Sequence, residues 1–132
     1  MPNNYALEIL NEYERISEKN KEIQRQRKRE IYEKLPRILE IDDLISSMSF
    51  EIAASIFKGI NMQSFISEQK KKIMDLKMNK GEILSQNKYP VDYLELKYEC
   101  NKCKDTAYIG NVKCSCFKQK LINKYYALFI CR

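Results

Sequence analysis

The sequence predicts a mainly α fold: a helical bundle of two long and two shorter helices, then a small cysteine-bearing β-hairpin knuckle and a short C-terminal helix. Three observations lead there. Residues 4–35 contain neither glycine nor proline. Apolar residues recur at three- and four-residue spacing in that stretch and again from Met62 to Leu84. All five cysteines lie at or beyond residue 100, in a segment too small to fold on an apolar core alone.

The first long helix follows from Ile9, Tyr13, Ile16, Ile23 and Ile31 among charged residues. Unbroken, it would rise roughly 48 Å at 1.5 Å per residue. Asn20 and Arg27 fall where the seam wants apolar groups, so packing should weaken toward its middle. Pro36 removes a backbone donor and disfavours helical geometry at Leu35, which breaks the chain and lets it restart with proline in a first turn. Ile38, Ile41, Leu44 and Ile45 then mark a short second helix. The hydroxyl-rich residues 46–49 read as a cap for a third, from Glu51 to Lys58, stopped by Gly59.

Met62, Phe65, Ile66, Ile73, Leu76, Ile83 and Leu84 trace the second long helix. Gly81 inside it costs about 1 kcal/mol relative to alanine and is expected to mark a bend. Both stripes read as core and not as docking grooves. Residues 87–90 are the expected boundary between a helical bundle, 1–88, and a cysteine-bearing module, 89–132. After Cys116, the residues Phe117, Leu121, Ile122 and Tyr125 continue a helical pattern into the apolar end 127–132, where Cys131 is an odd, incidental thiol. Such an ending is expected to be covered by further structure.

Cys100, Cys103, Cys114 and Cys116 form C-x2-C, a ten-residue gap, then C-x-C. Two close thiol pairs around strand formers (Tyr108, Ile109, Val112) are what a tetrahedral ion needs, so a structural Zn2+ held by four thiolates is expected. A disulfide framework is the rival. The opening MPNNYALEIL has no basic and then apolar leader, so a cytoplasmic, reducing location is expected and the metal is favoured. No histidine occurs, so a catalytic zinc would lack an imidazole proton shuttle. Four thiolates and one divalent ion leave a charge of about −2, which Lys102, Lys104, Lys113 and Lys118 are placed to soften.

The formal charge is +6, from 24 Lys and Arg against 18 Asp and Glu. That permits contact with nucleic acid or an acidic protein without requiring either. Apolar runs fall far short of the roughly 20 residues that span a bilayer, so no membrane role is expected.

The runs EIYEKLPRILEIDDLI, NKYPVDYLELKYECNKCKDTAYI and KCSCFKQKLI resemble, in that order, the amino-terminal region of bacterial replicative-helicase loaders of the DnaI and DnaC type. The resemblance covers about residues 5 to 126. Of the family's C-x2-C-x-D-T-G, Cys100, Cys103, Asp105 and Thr106 match, while Ala107 stands where a tight turn with positive φ would want glycine. The resemblance implies a zinc-binding domain that docks on the replicative DNA helicase, followed in the family by an AAA+ domain that binds ATP and single-stranded DNA. With Gly59, Gly81 and Gly110 as its only glycines, this sequence holds no G-x-x-x-x-G-K-[ST] loop. The expectation is a non-catalytic adaptor, natively short or truncated before an ATPase domain.

The alternative is a zinc-dependent nucleic-acid-binding module, with Arg25, Arg27, Lys28 and Arg29 contacting single-stranded DNA weakly. On a helix these charges spread around the circumference, and Glu22 and Glu30 interrupt them. Tyr98 and Tyr108 beside the cysteines suit base stacking, or a small core. A redox sensor built on the C-x2-C pair would need an exposed thiolate of low pKa.

Overall fold

The first helix begins where Asn4 can cap it: the Asn4 side chain accepts the Leu7 N–H at 3.1 Å and its carbonyl the Glu8 N–H at 3.2 Å. This computed structural model describes residues 4–59 and 63–130, the side chains of 128–130 excepted. Met62 and Cys131, both singled out in the sequence, lie outside the described residues. Four helices follow in order, α1 (Tyr5–Lys34), α2 (Pro36–Phe57), α3 (Gln63–Gln86) and α4 (Ser115–Ile130). Between α3 and α4 stand two short strands, β1 (Tyr108–Ile109) and β2 (Val112–Lys113). The mainly helical fold with a small hairpin and a cysteine cluster is the one expected. Among the described residues, no helix is long and apolar enough to cross a membrane.

The chain forms two compact units. One is residues 26–95, built on an antiparallel pairing of α2 with α3. Ile31, Ile38, Leu84 and Leu94 are its buried centre, edged by Tyr32, Leu35, Ile83, Tyr89 and Tyr93. Pro36 opens α2 at its first position, with Leu35 extended at φ −131°, as a proline break requires. The half-buried Asp42 carboxylate accepts the Tyr32 hydroxyl at 2.5 Å and the Lys80 ammonium at 2.6 Å, joining all three helices of the unit. Burial and then Asp42 hold the Tyr32 hydroxyl protonated well above its ordinary range.

One expectation needs correction here. The expected second and third helices are one helix, α2, and residues 46–49 lie in its interior. Serine inside a helix costs only tenths of a kcal/mol. The stripe meanwhile runs on through Ile38, Ile41, Ile45, Met48 and Ile52, all buried or half-buried. Termination waits for Gly59, at φ +73°, whose N–H bonds the Ile56 carbonyl. Gly81 lies within a continuous α3; a Cβ there would meet Val91 at 3.8 Å, ordinary contact.

The second unit is residues 1–25 with 96–132. Its buried centre is Ile9, Tyr13, Cys103, Ala107, Cys114 and Phe117. Along it the start of α1 meets α4 in antiparallel sense: Tyr5 sits edge-on to Tyr125 at 5.1 Å, Lys124 lies 3.7 Å from both Glu8 and Glu12, and Tyr13 abuts Phe117 at 6.1 Å. The division therefore differs from the expected 1–88 and 89–132. Residues 87–90 lie just past α3 and cap it: Lys88 takes a left-handed φ of 68° and the Tyr89 N–H reaches back to the Leu84 carbonyl at 2.9 Å. Beyond it, Tyr89, Tyr93 and Leu94 still pack on the unit of 26–95.

Within α1, no residue between Tyr13 and Ile31 is buried, which matches the weakened seam at Asn20 and Arg27. The helix thus supplies its two ends to two separate cores.

Candidate metal centre

The C-x2-C turn is braced from below. Asp105, only 5% exposed, accepts the backbone N–H of Glu99 at 3.0 Å and of Cys100 at 2.9 Å. Thr106 bonds the Cys103 carbonyl twice, through its N–H at 3.1 Å and its hydroxyl at 2.6 Å. Lys104, Asp105 and Ala107 all take left-handed φ values, so the chain coils tightly after Cys103 and enters β1. β1 and β2 pair antiparallel, Tyr108 with Lys113 and Ile109 with Val112, across a turn whose Gly110 has φ +62°. The hairpin returns the chain to Cys114, whose N–H bonds the Ala107 carbonyl at 2.8 Å.

Cys114 immediately precedes α4, and its carbonyl accepts the N–H groups of Phe117 and Lys118. Cys116 lies in the first turn. A helix start favours negative charge, which suits two thiolates placed there.

All four sulfurs lie within 4.8 Å of one another. Cys100 and Cys114 are 3.7 Å apart, and Cys103 and Cys116 are 3.6 Å apart. Four sulfurs bound at about 2.3 Å to one tetrahedral ion would stand roughly 3.8 Å from each other. A disulfide would bring a pair to about 2.05 Å. The cluster fits a metal ion and holds no disulfide. Cys103 and Cys114 are buried, whereas Cys100 and Cys116 are half-buried beside a shallow groove edged by Glu99, Asn101, Lys102 and Gln119.

The thiols are electrostatically unlike. The backbone N–H groups of Cys103 and then Lys102 draw Cys100 down to about 6, against its burial. Burial pushes Cys116 up to about 12, opposed by a hydrogen bond from Tyr13. Four thiols this close cannot all ionise unaided, and a divalent cation is the charge that lets them.

Ala107 occupies the glycine position of the resembled motif at φ +76° and is fully buried. A left-handed L-residue costs roughly 1–2 kcal/mol, which the surrounding turn must offset. Ala107→Val adds β-branching to that strain and overfills the core, and should lower stability by about 3 kcal/mol. Ala107→Gly should be tolerated, since relief of φ strain offsets the lost methyl. Urea unfolding of the two variants checks this; a valine variant as stable as the parent would show that the turn imposes no such constraint.

Among the expected lysines, Lys113 lies 5.7 Å over the Phe117 ring, while Lys102, Lys104 and Lys118 are exposed. Lys120, not anticipated, stands 5.1 Å over the Tyr13 ring. The proposed DNA-contacting cations fare differently. Arg25 is paired with Glu22 at 2.8 Å and Glu18 at 3.1 Å, and Arg27 lies 4.6 Å over the Tyr93 ring. Lys28 is half-buried, and Arg29 is exposed with an interaction of its own. Tyr108 packs edge-on to Phe117 at 5.7 Å and is itself exposed.

The residue that sequence reasoning missed is Tyr13. Its hydroxyl is 2.8 Å from the Cys116 sulfur across 103 positions of sequence. It was legible only as one apolar-stripe residue among five.

Compared with family models, with curated proteins and with solved structures, the chain matches none. Fold and site together define a mainly helical protein carrying a four-thiol cluster able to hold a metal ion.

Proposed function

We propose that this chain is a zinc-stapled adaptor that docks on a replicative DNA helicase in the cytoplasm, as the amino-terminal part of a helicase loader would, and performs no chemistry of its own. The observation that carries the reading is the braced cysteine knuckle, with Cys100, Cys103, Asp105 and Thr106 in the order of the resembled motif and Asp105 bonding the first cysteine's backbone. Soft thiolates in tetrahedral disposition select Zn2+ among abundant divalent ions, and four protein ligands leave no open position for a substrate. The ion's part is to bind the four thiolates and so fix the hairpin against the start of α4.

The nucleic-acid reading is the weaker. Arg25 and Arg27, two of its four cations, are already engaged within the chain. A sequence with no histidine and no phosphate-cradling glycine loop likewise supports action by binding alone.

Excess protein added to a helicase-loading reaction should compete with the intact loader and inhibit loading, and immobilised helicase should retain the chain. Titration with single-stranded DNA at two salt concentrations should show little affinity at either. Steeply salt-dependent DNA binding without helicase retention would replace the adaptor by the nucleic-acid module.

A further inference from the structure

Every sulfur in a four-thiolate site carries excess negative charge, and the protein must supply donors to it. The C-x2-C turn has a two-residue loop of backbone between its cysteines, and Asp105 holds it at the Cys100 N–H. The C-x-C pair has one residue between its cysteines and runs straight into α4, so it has no such loop of its own. Cys116 receives its donor from another element.

From this geometry we infer that Tyr13 is an outer-sphere positioning residue of the metal centre, its hydroxyl donating to the Cys116 thiolate and so coupling metal occupancy to the seating of the first half of α1. The inference rests on the zinc reading above. A metal-bound thiolate has no proton, so the hydrogen of the 2.8 Å contact belongs to Tyr13. Tyr13 is 4% exposed, so the phenol itself is held within the core of its unit. Its ring is fixed by Phe117 on one side and by the Lys120 ammonium on its face.

Coupling follows from the location. Residue 13 lies on α1, and the ion's other contacts lie on the segment 100–116. The residues that surround the hydroxyl bond, Ile9, Cys103, Cys114 and Phe117, are buried with it. Metal binding orders Cys116, the ordered sulfur holds Tyr13, and Tyr13 holds the helix. By linkage, a loosened α1 must weaken metal binding by the same factor.

The test uses Tyr13→Phe in the full chain, which keeps the ring and its packing and deletes only the donor. Co2+ serves as a spectroscopic probe, and Zn2+ affinity is read by competition with a chromophoric chelator. Loss of an outer-sphere partner typically lowers metal affinity 10- to 100-fold, and that range is expected here. The sulfur-to-cobalt charge-transfer band should also shift, because a thiolate without its hydrogen bond is a stronger electron donor. Tyr108→Phe, at a 39% exposed tyrosine of the same unit, is the control and should change neither. Unaltered affinity and spectrum in Tyr13→Phe, with one metal bound in the parent, would overturn the inference and leave the zinc reading standing. A parent chain that takes up no metal would overturn both.

Discussion

Chelation of the metal is expected to melt residues 5–25 of α1 together with the hairpin and α4, while α2 and α3 stay folded. Structural zinc contributes roughly 10–16 kcal/mol of apparent binding free energy in small peptides. The unit it would hold has a buried centre of six residues, two of them cysteine ligands. Without the ion those thiols have little to hold them together, and the remaining Ile9, Tyr13, Ala107 and Phe117 cannot order the segment. The unit of 26–95 has no cysteine and keeps its own centre at Ile31, Ile38, Leu84 and Leu94. Amide exchange should therefore lose protection at Ile9 and Phe117 and retain it at Ile38, Ile41 and Leu84. Helical circular dichroism should fall by no more than about half, since α2 and α3 hold 22 and 24 helical residues. Protection lost at all five positions would show that the metal holds both units; protection kept at all five would show that it holds neither.

Phe117→Ala should cost about 3–5 kcal/mol, the usual effect of emptying a buried aromatic site. Phe117 is fully buried beside Cys114, with Tyr13 and Tyr108 set edge-on around it and the Lys113 ammonium over its ring. Its loss removes the wall against which the hairpin, α4 and the start of α1 close. Phe57→Ala is the contrast: that ring is 93% exposed, and its truncation should change stability by no more than about 0.5 kcal/mol. Thermal unfolding of the two variants, metal-loaded, decides between them. Equal losses would mean that burial in this fold does not report packing.

Elements governed by local chemistry were readable residue by residue. Pro36 at the start of α2 and Gly59 at its end act through their own backbones, which no tertiary contact alters. The four-thiol cluster was readable for a similar reason, because spacing alone brings each pair within reach of one ion. The serine-rich residues 46–49 misled because cap chemistry and helix interior are nearly equal in energy for serine, and the stripe through Met48 settled the matter.

The partition of the core was not legible. Periodicity in α1 gave a single stripe, but it carries no information on which partner each turn of the helix meets. Ile9 and Tyr13 face the cysteine hairpin, whereas Ile31 joins α2, α3 and Leu94. Hence the boundary sits at 95/96, with the early part of α1 in the cysteine-bearing unit.

By itself the sequence determined that this chain is mainly helical, where proline and glycine punctuate it, and which four sulfurs converge. Those are properties of backbone preference and of short spacing. Only the tertiary structure decided that Asp105 braces the first cysteine, that Ala107 bears a left-handed turn, and that Tyr13 bonds Cys116. The last of these joins residues 103 positions apart. Hydrogen bonds of such span depend on where whole helices come to rest, and that is set by the summed burial of many side chains and by no local pattern.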